Sequence, residues 1–339
     1  MFNRLKDNVV VITGASSGIG RATALRLADK GAYVVAAARR ERALETLAGE
    51  CEQRGTPALP VVCDVTDEDA VEDLADEALS HFGRVDAWVN NAAVSLFARF
   101  EEAPSDAYRQ VIETNLFGYI HGARAAIRCF REQGYGNLVN VSSMLSRGGS
   151  PYVSAYAASK YAVNGLSRSL RQELTDSDIE VSVVMPASID TPLFQQAANY
   201  TGRAVKPMDP VYAPEKVAHT ITKVIKKPKP LTYVGNAGRM MGMLNNVSPP
   251  SYDKAMARQV ENDHFQELPA PPQEGNLYEP QDHWARVDGG WGGKTGLLSN
   301  GTAKVAMAGL AMALPAMAYA WWSNGGASKL NKVRALLPG

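Results

Sequence analysis

Tyr156 and Lys160 lie four residues apart, and Ser143 stands thirteen positions before the tyrosine. The stretch 154–174 has no proline and is rich in Ala, Ser, Leu and Arg, which predicts a helix carrying the phenol and the amine on one face. Side by side, these two groups could move a proton. A free tyrosine, with a pKa of about 10, holds its proton too tightly for ready exchange at neutral pH, but an adjacent cation favours the phenolate. Lys160 is expected to be that cation, lowering the pKa of Tyr156, with Ser143 holding a substrate oxygen by a hydrogen bond. The pair alone would equally suit a surface lysine and an interface tyrosine. A second Tyr-x-x-x-Lys, at Tyr212 and Lys216, shows how little the spacing means by itself. It encloses Pro214, which would disrupt a helix interior, and Asn199 replaces the serine thirteen residues before it.

The element expected to bring a cofactor to this trio is at the start of the chain. Val9, Val10, Val11 and Ile12 form a continuous apolar run, suited to a strand buried on both faces of a parallel sheet. Thr13-Gly14-Ala15-Ser16-Ser17-Gly18-Ile19-Gly20 follows, and then a helical pattern over 21–30. Strand, glycine turn and helix together point backbone N–H groups and a helix N-terminus at a phosphate. The second strand runs through Tyr33 and Ala38 and ends in Arg39-Arg40 instead of an acidic residue. An acidic residue would accept from a free ribose 2′-hydroxyl and repel a 2′-phosphate, whereas arginine pairs with the phosphate through its planar fork. NADP(H) is therefore expected. The alternative is that both arginines are solvated and the site also accepts NAD(H).

Taken together, these residues resemble the short-chain dehydrogenase/reductase family over about 8–191. The resemblance implies an α/β fold, a doubly wound parallel sheet of Rossmann type, with strands expected near Val9, Val34, Leu59, Ala87, Asn137, Val181 and Thr232. It places Thr13, Gly14, Gly18 and Gly20, with Ser16, Ser17 and Ile19 between them, around the dinucleotide phosphates. Asp64 and Val65 fall where the family lies against adenine. Asn91 belongs to Asn90-Asn91-Ala92-Ala93, in which alanine replaces the family's final glycine. Asn115 falls where the family keeps an asparagine that bends a helix and anchors a water of the proton relay. With Ser143, Tyr156 and Lys160 it completes the family's catalytic tetrad, and the resemblance gives Tyr156 and Lys160 a second role at the nicotinamide ribose. Ile189 and Thr191 stand where the carboxamide is contacted, although Pro186-Ala187 departs from the usual Pro-Gly before them. The helix expected from Ser105 through Phe130, together with the one carrying Tyr156, would pair subunits in a homodimer or homotetramer.

Composition excludes some partners. With 35 basic and 35 acidic residues the formal charge is zero, so nothing points to nucleic acid. Cys51, Cys63 and Cys129 are odd in number and lack metal-ligand spacing, so no metal is expected. They read as reduced thiols of a cytoplasmic catalytic domain.

The expected organisation is a catalytic domain over 1–248, a Pro/Gly-rich linker or surface tail over 249–301, and an apolar helix with a basic end over 302–339. Within the first, 192–215 carries Phe194, Tyr200, Met208 and Tyr212 among prolines and polar residues, suiting either a substrate-covering loop or its anchors. The methionine-rich stretch 238–244 could border an apolar pocket or pack in a core. His264 and His283 read as ordinary exposed histidines. The uncharged run 305–322 ends in Trp321-Trp322 and has basic flanks, suiting either membrane association or a helix docked on protein.

These features predict an NADP(H)-dependent oxidoreductase that interconverts a carbonyl and an alcohol on a small, lipophilic substrate. The rival is a nucleotide-binding regulatory or scaffold protein that keeps the fold without turnover.

Overall fold

A computed structural model describes residues 5–292. Its principal sheet has seven parallel strands, drawn from β1 (Val9–Thr13), β2 (Tyr33–Ala38), β3 (Ala58–Val62), β4 (Ala87–Asn90), β6 (Tyr135–Val141), β7 (Asp178–Pro186) and β10 (Leu231–Val234), in the order β10-β7-β6-β4-β1-β2-β3. β1 is buried along its whole length, as a strand covered on both faces must be. Its side chains alternate between two cores. Val10 and Ile12 pack with Leu27, Leu44 and Val217, whereas Val9 and Val11 pack with Leu74, Trp88 and Phe130. The sheet is thus doubly wound, as expected. The chain runs outward from β1 through β3 and then returns to place β4 on the other side of β1, and a crevice opens at the strand ends where this order reverses.

Two segments bring side chains to that crevice. Between the helices Ser105–Ile112 and Gly118–Gln133 lies one π-helical turn, Glu113–Phe117. Such a turn inserts an extra residue and re-aims the side chains it carries, here Asn115. Further on, the helix Ser154–Glu173 presents Tyr156 and Lys160 one turn apart, with Lys160 buried.

The segment after 248 differs from the expected extended linker. Pro249 and Pro250 open the helix Pro249–Asp263; proline is tolerated there because a first-turn amide has no helical partner to lose. Tyr252, Met256 and Val260 recur every four residues and bury one face of this helix beside Phe97, Val153 and Phe265. A short ribbon follows, in which β11 (Phe265–Pro269) runs antiparallel to β9 (Arg203–Val205). β5 (Leu96–Phe97) pairs with β8 (Ala198–Asn199) alongside. His264, expected to be exposed, is only 4% exposed, because it joins this helix to the ribbon. The run 305–322 lies outside the described residues. Among the described residues no helix is long and apolar enough to cross a membrane.

Candidate active site

The glycine turn is held by specific contacts. Thr13 Oγ1 accepts from the backbone amides of Asn91 at 3.1 Å and Ala92 at 3.2 Å, and Asn91 Nδ2 donates back to the Thr13 and Gly14 carbonyls at 3.0 and 3.2 Å. These bonds join the ends of β1 and β4 across the crevice. Gly14, at φ +67°, is in the left-handed region, and a Cβ on Gly20 would stand 2.3 Å from the Gly14 carbonyl oxygen. Only glycine fits at either position. The tight packing leaves backbone at the cavity surface beside the helix N-terminus, an arrangement that suits a phosphate, although the Gly18 amide of that terminus is engaged by the Arg286 carbonyl.

Tyr156, Ser143 and Lys160 meet the same cavity, of about 330 Å³, as do Gly14, Gly18 and Ile19. Ser143 precedes a short 3₁₀ turn, Met144–Arg147, and its Oγ accepts from the Leu145 amide at 3.1 Å. Lys160 Nζ donates to the Tyr119 hydroxyl and to the Val141 carbonyl, both at 3.0 Å, and lies 5.6 Å from the centre of the Tyr156 ring. Asn115 Oδ1 accepts from the Val94 amide, and its Nδ2 donates to the Val94 carbonyl, both at 2.9 Å, and to Ser159 Oγ at 3.3 Å. Asn115 therefore ties the π-turn to the helix that carries Tyr156.

The expected lowering of the Tyr156 pKa by Lys160 is not what this geometry produces. Burial pushes the phenol up to about 12, opposed by a side-chain hydrogen bond from Ser143. Burial also pushes the Lys160 amine down to about 7. Each group is desolvated, and loss of hydration penalises whichever form is charged. Tyr156 is accordingly a protonated phenol at neutral pH, suited to donating, and Lys160 titrates near neutrality.

Arg39 and Arg40 line the cavity too, with Asp64, Val65, Ser16 and Ser17, but they face peptide where solvent or a ligand was expected. Arg40 is 6% exposed. Its Nε donates to Ser16 Oγ at 3.1 Å, and its Nη2 donates to Ser16 and Ser17 Oγ at 2.8 Å. Nη1 reaches the Gln281 carbonyl at 2.8 Å. Arg39 donates to the Asn276 and Tyr278 carbonyls at 2.6 and 2.7 Å, and its Nη1 stands 3.9 Å from Asp64. The segment around 276–291 continues over the turn: the Gly18 amide donates to the Arg286 carbonyl at 2.9 Å, and Asp190 accepts from the Gly289 and Trp291 amides at 2.8 and 3.0 Å. Ile189 and Thr191 are on the cavity wall beside it, where Ser188 Oγ is buried without a partner among the described residues. Of the residues expected at the site, only Thr13, Gly20 and Asn115 stand behind the wall.

Sequence reasoning missed Tyr119 and the 276–291 segment. Tyr119 had a usable signal, since it follows Asn115 by four residues on what reads as a helix. The later segment had none, because it contributes mostly backbone carbonyls.

The cradle, the crevice and the sheet order have close counterparts. The family model described as short chain dehydrogenase matches residues 8–201. The chain belongs to the short-chain dehydrogenase family. Members are oxidoreductases that use a nicotinamide cofactor, and the buried orphan at Ser188 and the glycine-only cradle fit such a group. The chain is 38% identical over 283 residues to the uncharacterized oxidoreductase YxnA of Bacillus subtilis, covering 82% of this chain and 80% of that protein. A short-chain dehydrogenase/reductase from Burkholderia phymatum in complex with NAD superposes with a TM-score of 0.68 at 26% identity, over 75% of this chain and 97% of that one. An alcohol dehydrogenase from the archaeon Thermococcus sibiricus, complexed with 5-hydroxy-NADP, gives a TM-score of 0.60 at 28% identity, over 67% and 96%.

Proposed function

We propose that this protein is an NADP(H)-dependent oxidoreductase interconverting a carbonyl and an alcohol on a lipophilic small molecule. The observation that carries the reading is the convergence of the Tyr156 phenol, the Ser143 hydroxyl and the Lys160 amine on one cavity with the glycine cradle. When bound, the nicotinamide supplies or accepts the hydride. Ser143 holds the substrate oxygen, and Tyr156 donates its proton to that oxygen in reduction and takes it back in oxidation. Lys160 acts from behind, through its bond to the Tyr119 hydroxyl, and Asn115 fixes the helix on which both stand.

The choice of NADP(H) rests on two arginines and no carboxylate at the end of β2; the solved relatives include one with NAD and one with an NADP derivative, so they favour neither. The lipophilic substrate is supported by Phe97, Phe194, Met208, Tyr252 and Met256 on the cavity wall beyond Ser143. A homo-oligomer paired through the helices Gly118–Gln133 and Ser154–Glu173 is supported by Phe117, 42% exposed on the π-turn that leads into the first, and Tyr161, 45% exposed on the second.

The test is consumption of NADPH, and separately of NADH, by the full chain with aldehydes and ketones of graded hydrophobicity. Turnover that prefers NADPH and rises with substrate apolarity supports the reading. Tight nucleotide binding with no turnover of any carbonyl would favour the scaffold alternative.

A further inference from the structure

Past Ser143 and Tyr156 the cavity is walled by Phe97, Phe194, Met208 and Tyr252, and His264 stands among them. The residue is 4% exposed, and its ring lies edge-on to Phe97 and Phe194, with centroids 5.1 and 5.8 Å apart. Two other polar residues of this wall are bonded to protein. Gln259 Nε2 donates to the Asp209 carbonyl at 3.3 Å, and Gln196 Oε1 accepts from Asn276 at 3.3 Å. His264 has one nitrogen engaged and one open.

The engaged nitrogen is Nδ1, which contacts the Lys206 carbonyl oxygen. Burial lowers the imidazole pKa from its ordinary value, with the Lys206 bond opposing, so the ring is neutral at physiological pH. A carbonyl can only accept, so the ring proton is on Nδ1 and Nε2 carries a lone pair. Among the described residues nothing donates to Nε2, and His264 is part of the cavity lining, so this nitrogen is the ring's free acceptor at that wall. The result is an acceptor of fixed direction set into an aromatic wall.

We propose that His264 determines substrate specificity by accepting a hydrogen bond from a hydroxyl carried at a distance from the reacting carbonyl, so that the substrates are hydroxylated lipophilic ketones or aldehydes. This rests on the carbonyl-reducing reading of the cavity. A substrate with a plain hydrocarbon end displaces water from Nε2 and returns nothing, leaving a buried acceptor unpaired. A site built around such a bond rejects the analogue that lacks the group more strongly than an apolar pocket can reject an extra methylene. For one neutral bond, the preference should be roughly tenfold to a hundredfold.

The experiment uses the full chain, NADPH and 2-alkanones of increasing length, each with and without a terminal hydroxyl. kcat/KM is measured for every pair, and calorimetry of the corresponding diols and simple alcohols gives binding independently of turnover. The wild type is expected to prefer the hydroxylated member by about tenfold or more at the length that reaches His264. His264→Phe, which keeps an aromatic ring but removes both the acceptor and the bond to the Lys206 carbonyl, should bring that ratio close to one. A purely structural histidine would instead lower both members together. A wild-type ratio near one at every length, or a ratio unchanged in His264→Phe, overturns the proposal. If no ketone turns over but calorimetry shows the preference and His264→Phe removes it, the specificity residue stands and the carbonyl-reducing reading falls. Calorimetry without any preference overturns the proposal whatever the turnover.

Discussion

Lys160 donates to the hydroxyl of Tyr119 at 3.0 Å, and Tyr119 in turn donates to the Val141 carbonyl at 2.8 Å. Both side chains are 1% exposed, so the amine sits in a small buried network whose other members are neutral. A charge placed there has lost its water and gained only dipoles, which is why the pKa falls. This has a consequence for folding that can be measured apart from any activity. Lys160 keeps its proton up to about pH 10.5 in the unfolded chain but only to about 7 in the folded one. Between those values the unfolded state binds more protons, so this residue's contribution makes stability rise with pH, and below about 7 its burial penalty is fully present.

Lys160→Met should therefore stabilise the fold most below pH 7, and the gain should shrink steadily as pH rises toward 10.5. Urea unfolding of both proteins across that range reads the difference directly. A gap that does not change with pH would mean that Lys160 is charged or neutral alike in both states, contrary to its buried position.

Tyr156→Phe removes only the oxygen that would move the proton. Turnover is expected to fall by about 10²–10⁴-fold, the usual weight of a general acid–base group, while the affinity for NADPH stays within a few fold. Steady-state rates together with a fluorescence titration of NADPH separate the two quantities. Retained turnover would remove Tyr156 from the mechanism.

For the nucleotide, replacing Arg39 and Arg40 together by Ala should weaken NADPH far more than NADH. Loss of charge-assisted hydrogen bonds to a phosphate is worth about 1.5–3 kcal/mol, or roughly ten- to a hundredfold in Kd. Arg40→Lys should weaken both nucleotides together, since an ammonium cannot reach Ser16, Ser17 and the Gln281 carbonyl at once as the guanidinium does. Equal losses for both nucleotides in the double Ala variant would assign the arginines to holding the 276–291 segment alone.

How far the sequence spoke depended on how local each contact is. Tyr156 and Lys160 are one helical turn apart, and the run into Gly14, Gly18 and Gly20 is a single strand-turn-helix, so period and turn chemistry were enough to place them. Ser143 and Asn115 needed the order of motifs, since nothing in their own surroundings marks them out. Arg39 was visible but its surroundings were not, because the carbonyls it binds lie 237 and 239 residues away. A carbonyl is the same on every residue and leaves no trace in composition. The helix Pro249–Asp263 was hidden by its own start, since two prolines read as a break until the Tyr252, Met256, Val260 stripe is noticed. His264 looked ordinary for the same reason: its burial comes from Phe97 and Phe194, which reach it from far along the chain.

The last prediction concerns the cradle itself. A methyl group added at Gly20 would come within 2.3 Å of the Gly14 carbonyl oxygen and 2.7 Å of the Asn91 side chain. The first neighbour is backbone and cannot rotate away. The second, Asn91 Nδ2, is one of the groups that join β1 to β4, so any relief must come from parting the two strand ends at the crevice. Gly20→Ala is expected to cost about 1–3 kcal/mol of stability, as overpacking does, and to weaken the dinucleotide by more than the stability loss alone implies, because the turn that faces the phosphates is what moves. Gly149→Ala offers the contrast: nothing lies within 4 Å of the added carbon, although its φ of +72° gives it a backbone penalty of its own. Thermal unfolding and NADPH titration of both variants separate the two effects. Should Gly20→Ala bind NADPH as the wild type does, the close approach of the turn to the β1–β4 junction is not what shapes the nucleotide site.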